Sequence, residues 1–283
     1  MPRLTVSSIA WKLSQQDEVA RSLKKHGANA IEASPGLFSL PLHKVTPQQA
    51  REVRSFWEAH SLPIVAMQAL LFNGPQVNLF ESASSRQILL EYLKRVIGIA
   101  AQLGCGPLVF GSPKNRLVTT QSPDQAFDLA CDFFGSLAQT AEDEGCVFCI
   151  EANAADYGCN FITTHKDAIN LAKAVNKKGL GFNLDTGVMQ MNGESVADIE
   201  ELLLTGNVCP AHIHISQPFL EPVVKVDPEL HGSLRLLLEK IAYPGNISIE
   251  MKNPATEEDT VTRLTLALNE LTAIYGKAAH ATT

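Results

Sequence analysis

The sequence lacks any uninterrupted run of about 18 apolar residues, so it gives no sign of a membrane-spanning helix. It also lacks an excess of positive charge, and its net charge of −7 argues against a protein built to bind nucleic acid. No basic amino-terminal segment leads into a long apolar stretch, so we expect no secretory leader and a cytoplasmic protein. With 45% hydrophobic and 19% charged residues, the composition excludes a disordered chain and fits a globular enzyme.

The 6 cysteines are spread through strand-like and helix-like segments, mostly in apolar surroundings such as GCGPLVF and GCVFCIE. In a cytoplasmic protein of this length we expect them to be reduced core residues. Cys146 and Cys149 match the C-x-x-C pattern, but they lie in a predicted strand, where residues three apart point to opposite faces. The pair therefore predicts neither a redox disulfide nor half of a zinc site.

Short apolar runs alternate along the chain with longer amphipathic stretches. The runs predict strands at 4–10, 28–33, 62–67, 106–111, 146–151, 180–185, 209–216 and 246–251. The amphipathic stretches predict helices at 15–26, 47–60, 84–103, 123–144, 165–176, 195–205, 228–241 and 256–276. Start signals support three of these helices: Thr46 before Pro47, Ser122 before Pro123, and Thr256 with an acidic residue three positions later.

Eight strand–helix units without a low-complexity linker predict an α/β protein, a single (β/α)₈ barrel domain over residues 1–283. Each unit takes about 35 residues, which is normal for this fold. The alternative is an open doubly wound sheet, which needs a glycine-rich phosphate turn after the first strand. The residues at that point are Ala10, Trp11 and Lys12, with no glycine, so the barrel is favoured.

Four candidate metal ligands fall at the carboxyl ends of consecutive predicted strands, where barrel enzymes place their active sites. Predicted strands five to eight end at Glu151, Asp185, His214 and Glu250. Any one alone is compatible with a solvated rim charge or a loop cap. Three carboxylates crowded at one rim, however, would repel each other unless a cation held them. This oxygen-rich set predicts one divalent ion, Mn²⁺, Mg²⁺ or Co²⁺, with Zn²⁺ as an alternative.

Two histidines share the seventh predicted strand. His212 and His214 are two residues apart, so both side chains face the barrel interior, with His214 nearer the mouth. We expect His214 to be the ligand and His212 to lie behind it. Most other histidines, His165 among them, fall near predicted helix ends or loops, where a solvated position is expected.

Further polar or aromatic residues near the predicted strand ends are candidates for substrate binding: Trp11, Glu32, Gln68, Lys114, Arg116, Asn153, His212 and Lys252. The Trp11 ring could form one wall of a sugar site or pack in the core, and the sequence leaves both readings open. Glu32 and Gln68 are expected to bind hydroxyl groups. Lys114 and Arg116 could hold a phosphate or carboxylate, or be solvated loop charges. Lys252 could tune or replace a base.

These residues also carry a family resemblance. The segments 151–153 (EAN), 184–187 (LDTG), 212–216 (HIHIS) and 247–251 (ISIEM) resemble the xylose isomerase-like barrel superfamily. Within it they resemble the sugar phosphate isomerase/epimerase group, which includes ketose 3-epimerases and hydroxypyruvate isomerase. The likeness extends over most of the chain, from 8–11 (SIAW) to the eighth strand. It implies the same four ligands for one divalent ion.

Two positions depart from the pattern of the ketose 3-epimerases. Those enzymes carry a histidine three residues after the metal-binding aspartate, where this chain has Val188. They also carry an arginine six residues after the metal-binding histidine, where this chain has Leu220. Because these residues hold the sugar in the 3-epimerases, the resemblance does not imply that particular activity.

The resemblance implies proton transfer next to a carbonyl of a small sugar or sugar phosphate. A divalent ion polarises the carbonyl and stabilises an enediolate, while Glu151 and Glu250 flank the substrate as bases. One base gives aldose–ketose isomerisation and two give epimerisation, and both stay open. The alternative is a metal-dependent lyase or dehydratase of a keto acid or keto sugar. A repair endonuclease would need three zinc ions and more histidines. Assembly into a homo-oligomer stays open.

Overall fold

The computed structural model describes residues 3–254 and 259–276. Its eight strands pair in sequence order, all parallel, and the first also pairs with the last, so the sheet closes into a barrel. The strands are β1 (Arg3–Ser7), β2 (Ala30–Ala33), β3 (Ile64–Met67), β4 (Pro107–Phe110), β5 (Val147–Glu151), β6 (Leu180–Asp185), β7 (His212–Ile215) and β8 (Asn246–Ile249). The predicted (β/α)₈ barrel is confirmed.

Helices surround the barrel. Within the described residues they are α1 (Gln16–Lys25), α2 (Pro47–Ala59), α3 (Ala83–Leu103), α4 (Pro123–Asp143), α5 (His165–Val175), α6 (Thr186–Asn192), α7 (Val196–Gly206), α8 (Pro228–Lys240) and α9 (Asp259–Tyr275). Across that part of the chain, no helix is long and apolar enough to cross a membrane. The start signals at Thr46 and Ser122 are both N-caps, each accepting a backbone N–H three residues later. The predicted start at Thr256 lies outside the described residues.

The structure differs from the predicted elements in two places. The first strand stops at Ser7, because its side chain accepts the Ile9 N–H and turns the chain into a short 3₁₀ helix over Ser8–Ala10. The helix α6 is not predicted from the sequence, since its 7 residues are too few for a periodic pattern. It begins directly after β6, and its N-cap is Asp185. A candidate metal ligand therefore also starts a helix.

A cluster of phenylalanines joins the part of the barrel that carries the fifth strand to its outer helix. The ring centroid of Phe134, on α4, lies 5.5 Å from that of Phe110 on β4 and 6.2 Å from that of Phe148 on β5. The rings of Phe110 and Phe148 are 5.7 Å apart, and all three are buried. Because such rings bury large apolar areas in fixed geometries, the cluster holds β5 in place. Glu151 is the last residue of that strand.

The side chain of His231 is buried where α8 meets α9. Its Nδ1 lies 2.9 Å from the hydroxyl oxygen of Tyr275, and the charge of Asp227, at the start of α8, raises its pKa by less than burial lowers it. Burial disfavours the charged imidazolium and lowers the pKa of His231 to about 4. This histidine is therefore neutral at physiological pH and structural.

We predict that His231 makes the fold sensitive to mild acid. In the unfolded chain its pKa is close to 6.5, so between pH 6.5 and about 4 the unfolded state binds more protons than the folded one. The stability contribution is thus complete above pH 6.5 and is lost as the pH falls towards 4. Denaturant unfolding across this range should show a shallower loss of stability for His231→Gln than for the unchanged protein. The exposed His43→Gln serves as control, and equal slopes for all three proteins would contradict the prediction.

Candidate metal centre

Four side chains meet at the mouth of the barrel formed by the carboxyl ends of the strands. Glu151 ends β5, Asp185 ends β6, His214 lies in β7, and Glu250 directly follows β8. One potential ligand atom from each lies within 4.8 Å of the others, and all four residues are buried. The Glu250 N–H still donates to the Ile215 carbonyl at 2.9 Å, which extends the strand pairing to this candidate ligand. The structure thus brings together the four residues that the sequence places at one rim.

The Nδ1 atom of His214 is the point on which the three carboxylates converge. It lies 2.9 Å from Oε1 of Glu151, 3.3 Å from Oε2 of Glu250 and 3.9 Å from Oδ2 of Asp185. No Lys or Arg side chain forms an ion pair with these three carboxylates in the described parts of the chain. The negative charges are therefore offset by one imidazole alone.

The electrostatics of the cluster follow from burial and like charge. Burial, with the charges of Glu151 and Glu250, raises the pKa of Asp185 to about 8. Burial also raises the pKa of Glu250, although the His214 charge acts against it. For His214, burial lowers the pKa, but Glu32 and Glu250 outweigh that effect and hold it well above its usual value. The group as a whole retains protons that a cation would displace.

This donor set fits a divalent ion. Three carboxylates and one imidazole nitrogen match the oxygen-rich ligation of Mn²⁺, Mg²⁺ or Co²⁺, and Zn²⁺ accepts the same ligand types. A positive charge among Glu151, Asp185 and Glu250 would also remove the repulsion that raises the pKa of Asp185. Both the chemistry of the donors and their crowding agree with one such ion.

Glu32 lies beneath His214 and not in the cavity, which corrects the expected contact with substrate hydroxyls. It is fully buried, and its Oε1 accepts the Nε2–H of His214 at 3.0 Å. Its Oε2 accepts from the Ser248 hydroxyl at 2.7 Å and from Nε2 of Gln68 at 3.2 Å. Burial raises the pKa of Glu32, but the charges of His214 and His212 outweigh this and hold it well below its usual range. The contact leaves Nδ1 of His214 facing the three carboxylates, where it could bind a cation.

The carboxylate of Glu151 is placed by one neighbour on β6 and by one in the loop after β5. Nδ2 of Asn183 donates to its Oε1 at 2.8 Å, and Nδ2 of Asn153 lies 3.5 Å from its Oε2. On the other side it lies against the backbone just after β4. A Cβ atom at Gly111 would fall 1.9 Å from Oε2 of Glu151, so only glycine leaves room for the carboxylate there.

Asp185 is held by residues that were not among the candidate site residues predicted from the sequence. Its Oδ1 accepts the Val188 N–H at 2.7 Å, and the Ser216 hydroxyl lies 2.9 Å from both carboxylate oxygens. The Asp185 N–H donates to Nε2 of His165, whose Nδ1 donates to Glu194 at 2.7 Å. His165 is thus fully buried, against the expectation of a solvated position. Strand alternation could have identified Ser216, two residues after His214. Nothing in the sequence indicated that His165, at the start of a predicted helix, would be buried.

A cavity of about 250 Å³ opens above the four residues. Of the predicted substrate-binding residues, Gln68 and Asn153 line it. Its other lining residues are Ala69, Val109, Gly111, Ser112, Pro113, Glu151, Tyr157, Asp185, Val188, Ser216, Leu220 and Glu250. Tyr157 and Ser112, which belong to loops after β5 and β4, were missed because loop residues carry no periodic pattern.

The remaining predicted substrate-binding residues lie outside this lining. Trp11 is buried with its ring 5.7 Å from that of Trp57, which favours core packing over a sugar wall. His212 is buried, with Nε2 3.2 Å from Oε1 of Glu32. Lys252 is exposed and forms an ion pair with Glu221.

The two cations after β4 are separated from each other. Lys114 is exposed, whereas Arg116 is fully buried. The Arg116 guanidinium donates from Nη2 to Oδ1 of Asn153 at 2.7 Å and lies 5.9 Å from the centre of the Phe110 ring. It therefore supports Asn153 from behind, and neither cation lines the cavity.

Comparisons with known proteins agree with this geometry. The family model described as xylose isomerase-like TIM barrel matches residues 20–270. No curated protein matches the sequence. A solved structure of D-psicose 3-epimerase in the presence of D-fructose is 16% identical, with a TM-score of 0.76 over 97% of this chain and 100% of that one.

Two further solved structures are similar over nearly their whole length. The 3-keto-D-glucoside 4-epimerase from E. coli is 18% identical, with a TM-score of 0.73 over 95% of this chain and 99% of that one. The IolI protein with a bound zinc atom is also 18% identical, with a TM-score of 0.72 over 97% of this chain and 98% of that one. At these identities the likeness establishes the fold.

We predict that Glu32→Gln weakens metal binding without unfolding the protein. The amide keeps the shape of the side chain but removes the charge that orients His214, and loss of such a partner typically costs about 10–100-fold in metal affinity. Competition with a chromophoric chelator measures the affinity. Glu52→Gln, an exposed change on α2, is the control. Equal affinity of Glu32→Gln and the control would contradict the role assigned to Glu32.

We also predict that Gly111→Ala lowers metal affinity, because the new methyl group displaces the Glu151 carboxylate. The matched control is Gly98→Ala on α3, where a Cβ atom meets nothing within 4 Å. The same chelator competition, with circular dichroism to confirm folding, compares the two variants. If both variants bind metal as tightly as the unchanged protein, the close approach of Gly111 to Glu151 does not affect metal affinity, and the prediction is wrong.

Proposed function

The chain belongs to the xylose isomerase-like TIM barrel family, and from that premise we propose that it is a divalent-metal-dependent isomerase or epimerase of a small sugar. The observation that carries the proposal is the convergence of Glu151, Asp185 and Glu250 on Nδ1 of His214 beneath a small cavity. Support comes from the structural neighbours, whose descriptions name a D-psicose 3-epimerase and a 3-keto-D-glucoside 4-epimerase.

We propose that Glu151, Asp185, His214 and Glu250 hold one ion, Mn²⁺, Mg²⁺ or Co²⁺, with Zn²⁺ as an alternative. The zinc named with the IolI protein supports a metal at this kind of site. When bound, the ion would polarise a carbonyl and stabilise the negative charge that develops on its oxygen. Glu32 keeps His214 in the tautomer that such binding needs.

Glu250 is the better candidate for the base that removes a proton next to the carbonyl. It lines the cavity, and its Oε1 has no hydrogen-bond partner among the described residues. Glu151 is held more firmly, by Asn183 and His214 on Oε1 and by Asn153 beside Oε2. It also lines the cavity and can accept or return a proton there.

The two carboxylates define the reaction class. Glu151 follows β5 and Glu250 follows β8, so they approach the cavity from strands three apart around the barrel. One of them acting alone on an enediolate gives aldose–ketose isomerisation, and both acting on opposite faces give epimerisation. We place the reaction in the cytoplasm, where the six unpaired cysteines stay reduced.

The test follows carbon-bound protons by NMR in heavy water, with protein, metal and a panel of ketoses and aldoses. We expect deuterium to enter beside the carbonyl, and Glu250→Gln to lower the rate by about 100-fold or more, as expected for loss of a general base. New isomers are followed in the same tube, because a shielded proton can return without exchange. Asp185→Asn serves as the metal-deficient control, since asparagine still caps α6.

Two outcomes would overturn the proposal. If the panel shows neither exchange nor a new isomer while the protein binds metal, the isomerase assignment fails. If a keto acid instead loses water or another leaving group on the same site, the lyase alternative replaces it.

A further inference from the structure

The cavity above the four residues carries negative side chains and no positive one. Glu151, Asp185 and Glu250 line it, and within the described residues no Lys, Arg or His side chain does. Arg116 is sealed behind Asn153, and Lys114 is exposed outside the lining. A phosphate or carboxylate in this cavity would lose its hydration without gaining a cationic side chain as partner. The charges therefore select against an anionic substrate.

Much of the cavity wall away from the carboxylates is apolar. Ala69 after β3, Val109 on β4, Pro113 after β4, Val188 on α6 and Leu220 after β7 all line it. These side chains come from β3 and β4 and from β6 and β7, two adjacent pairs of strands, or from the segments that follow them, so apolar surface faces the substrate from two parts of the barrel mouth.

The neutral polar groups of the lining are mostly engaged within the protein. Asn153 accepts from Arg116 and lies beside Glu151, and the Ser216 hydroxyl contacts Asp185. Nε2 of Gln68 donates to Ser7 and Glu32. Few groups remain for a chain of substrate hydroxyls.

Two hydroxyl donors remain in the lining, those of Tyr157 and Ser112, and the Ser112 hydroxyl has no hydrogen bond to the described residues. The Tyr157 hydroxyl accepts the Phe219 N–H at 2.8 Å and keeps its own proton to donate. A hydroxyl group bound against the apolar wall, in contrast, would lose water without gaining a partner there.

We propose that the substrate is an uncharged, small hydroxycarbonyl compound whose end remote from the carbonyl is deoxygenated, such as a terminally deoxy ketose. The proposal rests on the proposed function, since it assumes that the carbonyl end lies over the four residues. A cavity of about 250 Å³ suits one such molecule and not an oligosaccharide. The apolar wall then contacts the deoxygenated end.

Titration calorimetry on the metal-loaded protein tests this with three ligands: a ketose, its terminally deoxy counterpart and its terminal phosphate ester. We expect the deoxy compound to bind about tenfold or more tightly than the parent, the usual range for discrimination by an apolar pocket, and the phosphate to bind weakest. Tighter binding of the phosphate, equal or tighter binding of the parent, or no binding of any of the three at millimolar concentration would each overturn the proposal.

A pair of variants tests whether Leu220 sets the preference for an uncharged ligand over a phosphorylated one. Leu220→Arg places a cation in the wall and should reverse the order of phosphate and parent ketose. Leu204→Arg, an exposed change on α7, should leave the order unchanged. If both variants keep the original order, Leu220 does not set the preference and the proposal fails.

Deuterium exchange, measured separately, distinguishes this proposal from the proposed function. Binding in the expected order without exchange would reject the isomerase and leave the ligand preference standing. Exchange on a phosphorylated or fully hydroxylated sugar, together with the opposite binding order, would support the isomerase and reject the proposed preference for a deoxygenated substrate.

Discussion

The mutual repulsion of three buried carboxylates is the constraint on which the rest of this site depends. Glu151, Asp185 and Glu250 face one imidazole, and burial together with like charge raises the pKa of Asp185 to about 8. A protein does not maintain such crowding for stability alone, because unpaired buried charge is costly. The surrounding contacts, from Glu32 below to Ser216 beside Asp185, hold acidic groups in place against that repulsion.

The support for the site comes from the barrel wall as much as from the loops. Glu32 on β2 joins His214 on β7 and Ser248 on β8, so a single buried carboxylate connects strands across the barrel. Gly111 leaves the space that Glu151 occupies. Sites fixed on strands in this way hold their geometry more firmly than sites built on loops alone.

Strand periodicity and rim position predicted the barrel and the four converging residues, because each chemical group lies at the end of a local pattern. Contacts between distant strands could not be predicted in the same way. Glu32 lies one residue before the end of β2, as His214 lies one residue before the end of β7. The Glu32 side chain nevertheless lies beneath His214, since depth along the barrel axis depends on the stagger of neighbouring strands. His165 was expected to be solvated, and Arg116 to be solvated or to bind an anion, but both are buried. Whether a loop or helix-end residue is buried depends on tertiary contacts, which local sequence patterns do not show.

Asp185 both faces the other acidic residues and caps α6, the short helix that brings Val188 to the cavity. Loss of this side chain by truncation would therefore disturb the shape of the substrate cavity along with its charge. Asparagine, in contrast, retains the cap while removing the charge. A homologue with asparagine at this position could keep the shape of the cavity while losing catalysis. In this architecture, therefore, a protein could still bind its ligand after it has lost the ability to convert it.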